Sequence, residues 1–555
     1  MRSGTPIAAA LALVCAASVA RAQPAPPPLS PRITALAKKL AAHEAGAESA
    51  FWRQLAAEGT PLVEDVHEPG RRLVTFVWHG TAATQRVTLA GLRDDTPDSH
   101  LERLPGSNIF TTSLSLPDDG RYTYFFAVDA DPHGGFEPGH FHHDPLNKRI
   151  DDPIQSVLEL PNAPKQPSLV AHPGVAAGAL WRHTLASTGP HKPPRQLYVY
   201  TPPGYDAKGP AYPLLVAFDA ETATGQIPVP LILDELIAAK RIPPVVALLI
   251  GNVDRMNDLR PNAPFADFVA LDLVPWVRAH YHATSDPRRS VISGISLGGL
   301  SAAYVGFRHP EVFGNVLSQS GSFWWGPGDE EPEKTSRDFV ASPRLPLRFW
   351  MEVGTAEIGN PAHETTMLAA NRHLRDVLKA RGYDVSYHEF DGNHSYVCWR
   401  GTLADGLVAL LATPPKLAAI RAPKAAPRPP LAIAPARRSS LSLLLRAALL
   451  DGGDAALTDA KRLLATTADG WVIDEDEVNA VGCLLLFLEH ARASIPLFVW
   501  NTERFPKSWN TWDSLAWAYL IIGDRPHAIA EFKQSLAIDP KAPGAVMLNE
   551  LTAKP

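Results

Sequence analysis

Cysteine is almost absent from this chain, with only three residues in 555. Cys15 falls in an apolar N-terminal stretch, so only Cys398 and Cys483 remain beyond it. These two lie in segments that we assign to separate domains. We therefore expect two buried thiols and no disulfide between them.

Long apolar runs and an excess of one charge are also missing. The net charge is only −6, from 52 basic and 58 acidic side chains, which argues against a nucleic-acid-binding protein. Beyond the N-terminus, no stretch offers the ~20 apolar residues that a membrane-spanning helix needs. The sequence therefore predicts neither a nucleic-acid partner nor an internal membrane span.

The N-terminus has the pattern of a secretory signal peptide. Met1-Arg2 begins a charged segment, residues 7–19 are apolar, and Ala20-Arg21-Ala22 precedes a Pro-rich stretch. The apolar run is too short to cross a membrane, which predicts cleavage after Ala22. We expect a signal peptide over residues 1–22 and a periplasmic or secreted product. The alternative is an uncleaved N-terminal anchor.

The most informative segment runs from Ser290 to Tyr304. An apolar run turns through Gly294-Ile-Ser-Leu-Gly298 and continues into a helix of small residues. This order of strand, turn and helix is typical of a nucleophile elbow, in which glycines let strand and helix approach each other. Ser296 is the predicted nucleophile, activated by a histidine. The alternative is a surface turn that contains a serine.

Candidates for the acid and the base follow Ser296 in the order that α/β-hydrolases use. One apolar strand ends before Glu357, and the next ends shortly before His394. Both residues would lie at the C-terminal edge of a parallel sheet, where such folds build their sites. We expect His394 to act as base and then as acid, oriented by Glu357. Asp391 and Glu352 remain alternatives for the orienting acid.

Longer motifs resemble the enterochelin esterase family. They are GISLGGLSA from Gly294, PEVFG from Pro310, LSQSGSFWW from Leu317, GTAE from Gly354, GNHSYVCWR from Gly392, FWRQLA from Phe51, DPLN from Asp144 and LELPNAPKQP from Leu158. The similarity spans about residues 45–412. It implies a serine esterase that hydrolyses the trilactone of a ferric catecholate siderophore such as enterobactin. It implies no cofactor, since iron enters only as part of the substrate.

The same resemblance implies roles for individual residues. Ser296 would be the nucleophile, His394 the base and Glu357 the acid. The backbone N–H of Leu297 would supply one oxyanion donor, and the loop that contains Glu221 a second. Alanine stands at position 220, where the family usually has glycine, so the second donor is an open question.

A ferric tris-catecholate is an aromatic trianion, which calls for cations and aromatic faces near the nucleophile. Arg255 follows a predicted strand and resembles an arginine of the family, so we expect it at the rim of the site. Trp324, Trp325 and Arg400 are further candidates for substrate contact. Alternatively, Arg400 pairs with a buried carboxylate and the tryptophans pack in the core.

A cluster of potential metal ligands lies within a dozen residues, namely His133, His140, His142, His143 and Asp144. No helical i, i+4 pair and no cysteine accompanies them, and the surrounding sequence is rich in glycine and proline. We therefore expect a solvated loop and no metal site.

The chain divides into three predicted domains. Residues 45–165 alternate polar and apolar in short runs, which predicts an all-β, immunoglobulin-like sandwich. Strands and helices alternate over residues 170–412, which predicts an α/β-hydrolase. A Pro/Ala-rich linker is expected over residues 413–438, followed by a helical domain over residues 439–555.

The helical domain carries a repeat typical of tetratricopeptide proteins. Asn479 and Asp513, Ile495 and Ile529, and Pro506 and Pro540 are each 34 residues apart, the length of that repeat. Such arrays bind peptides, but a stabilising appendage or a self-association surface is an alternative.

Two other functions remain open at this point. The chain could be a carboxylesterase of the same superfamily that acts on a feruloyl or acyl-sugar ester. It could also be a non-catalytic scaffold whose repeats bind a protein partner.

Overall fold

The computed structural model describes residues 30–65, 68–92, 99–131, 140–152, 154–187, 193–327, 331–359, 365–413, 428–466 and 470–552. The predicted signal peptide, His133 and the linker residues 414–427 lie outside these ranges. No helix within them is long and apolar enough to cross a membrane.

Two helices precede the first strand, α1 (Pro31–Ala41) and α2 (Ala47–Glu58). The all-β prediction from residue 45 is therefore wrong over its first segment. Ala47, Phe51 and Leu55 recur every four residues and are buried, a spacing that favours one face of a helix over a strand. The two helices pack with Leu62, Val77 and Ile109 in a small core of their own.

The following β-rich region consists of two sheets that share one core. Its strands are β1 (Leu62–Asp65), β2 (Arg71–His79), β3 (Val87–Ala90), β4 (Ser99–His100), β5 (Glu102–Arg103), β6 (Ile109–Pro117), β7 (Arg121–Val128), β8 (Phe141–His142), β9 (Ile150–Asp152) and β10 (Gln155–Glu159). One sheet has the order β1-β2-β6-β5 and the other β4-β3-β7-β10-β9, with β8 beside β7. Phe76 of the first sheet packs against Tyr124 of the second, with ring centroids 4.9 Å apart, and Phe126 belongs to the same core.

The central region is an α/β sheet, as predicted. Its strands are β11 (Ala179–Leu185), β12 (Arg195–Thr201), β13 (Leu214–Phe218), β14 (Val246–Ile250), β15 (Ser290–Ile295), β16 (Asn315–Gln319), β17 (Arg348–Gly354) and β18 (Asp384–Phe390). Their order is β18-β17-β16-β15-β13-β14-β12-β11. The strands from β18 to β14 run parallel, and β12 and β11 are antiparallel additions.

Helices cover both faces of this sheet. They are α3 (Ala220–Ala223), α4 (Val229–Ala238), α5 (Arg255–Leu259), α6 (Ala263–Phe268), α7 (Val274–Tyr281), α8 (Leu297–Arg308), α9 (Lys334–Ala341), α10 (Met367–Ala380) and α11 (Tyr396–Leu411). Strands β13, β14 and β15 are buried along their whole length. Their apolar runs are therefore not alternating, as expected for strands that are covered on both faces.

The C-terminal region is mostly helical, with helices α12 (Leu441–Asp451), α13 (Gly453–Ala465), α14 (Glu475–Phe487), α15 (Ala491–Arg504), α16 (Trp509–Ile521), α17 (Arg525–Ile538) and α18 (Gly544–Thr552). It is not wholly helical, because β19 (Arg437–Ser439) and β20 (Trp471–Val472) extend the central sheet beyond β11. The prediction of a semi-rigid linker over residues 413–438 is thus wrong at its described end, where Arg437 and Arg438 belong to a strand. The backbone of Ala432 and Ala434 already bonds to the β11 edge.

Candidate active site

The nucleophile elbow forms where β15 meets α8. Ser296 joins them with φ 54° and ψ −121°, a strained conformation for a residue with a Cβ, which costs ~1–3 kcal/mol. The turn is tight enough that a Cβ on Gly294 would lie 2.3 Å from the carbonyl carbon of Gly298. Glycine at position 294 therefore makes the close approach of strand and helix possible, as the sequence predicts.

Ser296, His394 and Glu357 form a continuous hydrogen-bonded relay. The Nε2 atom of His394 lies 3.0 Å from the Oγ atom of Ser296, and its Nδ1 atom lies 2.6 Å from the Oε2 atom of Glu357. Glu357 is fully buried, whereas about a third of the His394 side chain is exposed. Because a carboxylate accepts from Nδ1–H, Nε2 is left to accept the serine proton.

The two alternative acids have other partners. Asp391 accepts a hydrogen bond from the Thr355 hydroxyl at 2.6 Å. Glu352 accepts from Gln319 at 2.7 Å, and burial raises its pKa to about 8. Only Glu357 of the three reaches His394, so the geometry assigns it the orienting position.

A second ring of contacts holds Glu357 and His394. Ser320 donates to the Oε1 atom of Glu357 at 2.6 Å, and the Gly354 N–H donates to the same atom at 2.8 Å. The indole N–H of Trp399 donates to Ser320 at 2.9 Å, and its ring meets the His394 ring edge-on at 4.6 Å. Trp399 thus fixes the acid through Ser320 and the base through its own ring.

The β-rich region holds the loop that carries His394. The amide of Asn393 accepts from the Thr123 N–H at 3.1 Å and donates to the Thr123 carbonyl at 2.9 Å. The Arg121 N–H also donates to the Asp391 carbonyl at 2.8 Å. Sequence reasoning missed this role for Asn393, although its place beside His394 was a usable signal.

A cavity of about 370 Å³ opens above the relay. Its lining residues are Met256, Arg260, Ser296, Leu297, Ser322, Trp324, Trp325, Glu357, Gly359, Met367 and His394. The structure therefore brings both predicted tryptophans to the site. Arg260, an exposed residue that the sequence analysis did not single out, supplies a cation there.

Arg255 does not line this cavity, and its contact with substrate stays a prediction. Its guanidinium forms two hydrogen bonds with the carboxylate of Asp219, at 2.7 and 2.9 Å. It therefore holds the loop after β13 in position, whereas Arg260 is the arginine that lines the cavity.

The prediction of substrate contact for Arg400 is wrong. Arg400 is 8% exposed and donates to the Phe487 carbonyl at 2.9 Å, in the C-terminal helical region. Consecutive helical residues point about 100° apart. Because the side chain of Trp399 faces the relay, that of Arg400 is turned away from it. The alternative of a pair with a buried carboxylate is not what forms either, since its bond is to a backbone carbonyl.

The predicted oxyanion donors lie near the elbow. Leu297 is the first residue of α8 and lines the cavity, so its N–H belongs to the unpaired first turn of a helix. Glu221 lies on α3, where its carboxylate accepts from the Asn252 N–H at 2.9 Å. The neighbouring Asp219 comes within 3.2 Å of a Cβ built on Gly298. The role of the Glu221 N–H stays a prediction.

The described part of the histidine cluster is not a solvated loop. His142, His143 and Asp144 are buried. Asp144 accepts hydrogen bonds from Thr60 at 2.6 Å and from Tyr124 at 2.8 Å, so it holds the β-rich core together. Among the described residues no group of three potential ligands could hold a metal ion.

The prediction for the cysteines is confirmed where it concerns pairing. Cys398 and Cys483 are both free, and Cys398 is buried. Cys483 is half-buried, not fully buried as predicted.

Two family models match the chain. The Esterase model covers residues 191–410, and the N-terminal model of enterochelin esterase covers residues 73–169. The iron(III) enterobactin esterase of Dickeya dadantii is 30% identical over 427 residues, which cover 68% of this chain and 95% of the relative. The iron(III) salmochelin esterase of Escherichia coli O6:H1 is 29% identical over 411 residues, covering 68% and 96%.

Solved structures agree with these matches. The ferric enterobactin esterase from Salmonella typhimurium superimposes with a TM-score of 0.54 and 28% identity, covering 65% of this chain and 98% of that one. The Shigella flexneri enterobactin esterase, solved in the presence of enterobactin, gives a TM-score of 0.53 and 27% identity, covering 66% and 98%. The chain belongs to the enterobactin esterase family of carboxylic-ester hydrolases.

Proposed function

We propose that this protein is a serine esterase that hydrolyses the ester bonds of a ferric catecholate siderophore such as enterobactin. The observation that carries the proposal is the relay from Ser296 through His394 to Glu357 at the base of an aromatic-lined cavity. The names of the relatives and of the solved structures support the choice of substrate.

The relay supports acyl transfer in two half-reactions. Ser296 Oγ attacks the ester carbonyl while His394 Nε2 takes its proton, and Glu357 stabilises the imidazolium that forms. His394 then returns the proton to the leaving seryl oxygen. A water molecule, activated by the same histidine, attacks the acyl-enzyme and releases a carboxylate. The Leu297 N–H would stabilise the oxyanion in both steps.

The cavity fits an aromatic anion. Trp324 and Trp325 provide aromatic surface and Arg260 a guanidinium, all lining the same space as Ser296. Arginine stacks on aromatic groups and pairs with anionic oxygens, both of which a catecholate presents. Since iron belongs to the substrate, the proposed chemistry needs no cofactor.

The test uses purified protein and its Ser296→Ala variant with ferric and iron-free enterobactin, following linear products by chromatography. A small aryl ester such as 4-nitrophenyl butyrate serves as the reference substrate. Cleavage of a siderophore by the wild type alone supports the proposal. If only the aryl ester is cleaved, the alternative of another ester substrate replaces it. If no ester is cleaved, the scaffold alternative takes its place.

We also propose the finer architecture. The β-rich region, residues 45–165, would be an immunoglobulin-like sandwich after its first helix, and residues 170–412 the hydrolase domain. The helical domain from residue 439 would be tetratricopeptide-like. In its support, α14 and α16 begin at residues 475 and 509, and α15 and α17 at 491 and 525, each 34 residues apart. Light scattering of the purified protein would detect self-association through these repeats. Capture of a partner on the immobilised protein would detect a protein partner, and the isolated α14–α18 sequence would compete with that capture.

The last part of the proposal is export. The N-terminal pattern supports a signal peptide over residues 1–22 and a periplasmic or secreted enzyme. N-terminal sequencing of the protein purified from the producing cell tests this. A mature chain that begins at Gln23 agrees with export, and an intact Met1 in the cytoplasmic fraction contradicts it.

A further inference from the structure

A second cavity lies where the β-rich, central and C-terminal regions meet. Its volume is about 230 Å³. Arg121 and Glu159 line it from the β-rich region, Arg400 from α11, and Leu449 and Leu488 from the C-terminal helices. None of these residues lines the cavity above Ser296. The junction cavity is therefore separate from the candidate active site.

Arg400 is the unusual member of this lining. It is 8% exposed, and its Nε atom is buried without a hydrogen-bond partner. Among the described residues, its one hydrogen bond goes to the Phe487 carbonyl, not to a carboxylate. Burial lowers its pKa, and Asp151 and Glu489 oppose this only through longer-range charge, with Arg121 adding to it. Buried guanidinium groups are normally paired, because an unpaired buried charge is costly.

The acids that line the cavity are already engaged. Glu159 pairs with Arg121 at 3.2 Å and with Arg149 at 3.6 Å. Glu489 pairs with the same Arg149 at 3.2 Å. Lys165 adds a further exposed cation to the lining. The cavity thus presents positive charge that its own glutamates do not balance.

The rest of the lining is apolar. Leu169, Val170, Leu449 and Leu488 contribute side chains to it. Val170 is 56% exposed, one of few large apolar side chains left so open among the described residues. Because an exposed valine beside a buried guanidinium suits a ligand with an apolar body and one anionic end, both features point to the same kind of molecule.

We propose that the junction cavity binds a small organic carboxylate. The carboxylate would bind the Arg400 guanidinium, with Lys165 at the rim, and the apolar body would pack on Val170, Leu449 and Leu488. A cavity of about 230 Å³ lies below the ~300–1,000 Å³ of sites for drug-sized ligands, so a whole siderophore is excluded. This proposal does not depend on the proposed esterase substrate.

The C-terminal helices add to this site residues that lie outside the Esterase family model. The Esterase family model ends at residue 410, whereas Leu449, Leu488 and Glu489 lie beyond it. The relatives match about two thirds of this chain while nearly their whole length is covered. One wall of the cavity is therefore built by residues that lie beyond the Esterase family model.

The test is calorimetric titration of the full protein with benzoate, with its neutral analogue benzamide and with inorganic phosphate. We expect one benzoate in the junction cavity of each chain, and binding of benzamide and phosphate there weaker by about tenfold or more, because charge and apolar body are both needed. Val170→Asp places a negative charge, the same sign as that of benzoate, in the lining of the junction cavity and should abolish benzoate binding. Because position 170 is exposed, the protein should stay folded. Val340→Asp is its matched control, since Val340 is 54% exposed on α9.

Two more variants locate the bound molecule. Arg400→Lys keeps the positive charge but loses the two parallel N–H donors of the guanidinium. Benzoate should therefore bind at least about tenfold more weakly. Arg260→Gln, in the cavity above Ser296, should leave unchanged the benzoate binding that Val170→Asp abolishes. Absence of benzoate binding, phosphate binding as tight as benzoate, or loss of binding in Arg260→Gln with retention in Val170→Asp would each overturn the proposal.

Discussion

The two outer regions of this protein hold the hydrolase fold in different ways. The β-rich region reaches the loop before His394 with directional polar contacts, from Thr123 to Asn393 and from Arg121 to Asp391. The C-terminal region instead extends the far edge of the central sheet and merges with its apolar core. Leu444, Leu484 and Trp500 belong to the same buried cluster as Ile232 and Leu407.

The difference separates positioning from stabilisation. Hydrogen bonds fix direction but contribute only about 0.5–1.5 kcal/mol each, whereas apolar burial is non-directional and scales with area. The β-rich region should therefore affect the rate of the reaction more than the stability. The C-terminal region should affect stability and leave the chemistry of folded molecules unchanged.

The largest effect is expected at the relay itself, which sets the scale for both regions. Glu357→Gln should lower kcat/KM by about 10⁴-fold, because the amide cannot orient His394 or stabilise its charge. The melting temperature should change little by comparison. Asp391→Asn is the matched control and should cost less than about tenfold. A stronger loss in Asp391→Asn than in Glu357→Gln would contradict the assignment of the acid.

Local signals predicted the relay, and long-range packing decided what the sequence missed. The glycines around Ser296 and the chain order of Glu357 and His394 are local features of strand ends, so they could be read directly. Whether Arg255 faces a substrate or Asp219 depends on a partner 36 residues away. The burial of Arg400 against Phe487 depends on one 87 residues away. No sequence pattern near Arg255 or Arg400 predicts contacts with such distant residues.

Long-range packing also explains why the predictions for the outer regions were partly wrong. The alternation that predicts strands over residues 72–78 and 122–128 is met by β2 and β7. By contrast, Arg437–Ser439 and Trp471–Val472 are too short to show a period of their own. They become strands only because β11 offers an unpaired edge.

The next largest effect is expected in the C-terminal region. Arg446 on α12 is buried and donates to Glu235 at 2.8 Å, with Asp234 at 3.5 Å. Arg446→Ala should lower the free energy of unfolding by about 3–5 kcal/mol, because it leaves the buried carboxyl group of Asp234 without a cation and that of Glu235 with only His172. The kcat of the folded enzyme should stay within about twofold of the wild type.

Arg462→Ala is the matched control for this variant. Arg462 pairs with Asp459 at 2.7 Å on the exposed face of α13, and such pairs contribute about 0–1 kcal/mol. Both variants are measured by urea unfolding and by turnover at 25 °C. A large fall in kcat for Arg446→Ala, at temperatures where the protein stays folded, would show that the C-terminal region also positions the site.

A third prediction concerns pH and the junction between β19 and α14. Burial raises the pKa of Glu477 to about 7 from an ordinary value of 4.5, against a hydrogen bond from Ser439 that lowers it. The folded protein holds this proton to a higher pH than the unfolded chain does. Its contribution to stability is thus complete below about pH 4.5 and is lost as the pH rises through about 7.

The loss is at most about 3.5 kcal/mol, at ~1.4 kcal/mol for each pKa unit between 4.5 and about 7. Glu477→Gln carries no titrating proton, so the free energy of unfolding should fall less between pH 5 and pH 8 than in the wild type. Glu503→Gln, at an exposed position of α15, should keep the wild-type slope. Equal slopes in all three proteins would contradict the attribution to Glu477.

The smallest expected effect tests the β-rich side of the comparison. Asn393→Ala removes three hydrogen bonds to Thr123 and one to the Gly91 carbonyl, all beside the catalytic histidine. We expect kcat to fall about 10–100-fold with KM nearly unchanged, since small misplacements of a catalytic group are costly. The melting temperature should fall by only a few degrees, in line with about 1–3 kcal/mol for the lost bonds.

Asn162→Ala is the matched control. It removes an exposed hydrogen bond to Asp118 and should change neither kcat nor the melting temperature. If Asn393→Ala instead lowered the melting temperature and left kcat intact, the β-rich region would be a stabilising element like the C-terminal one. The separation of roles between the two ends would then be lost.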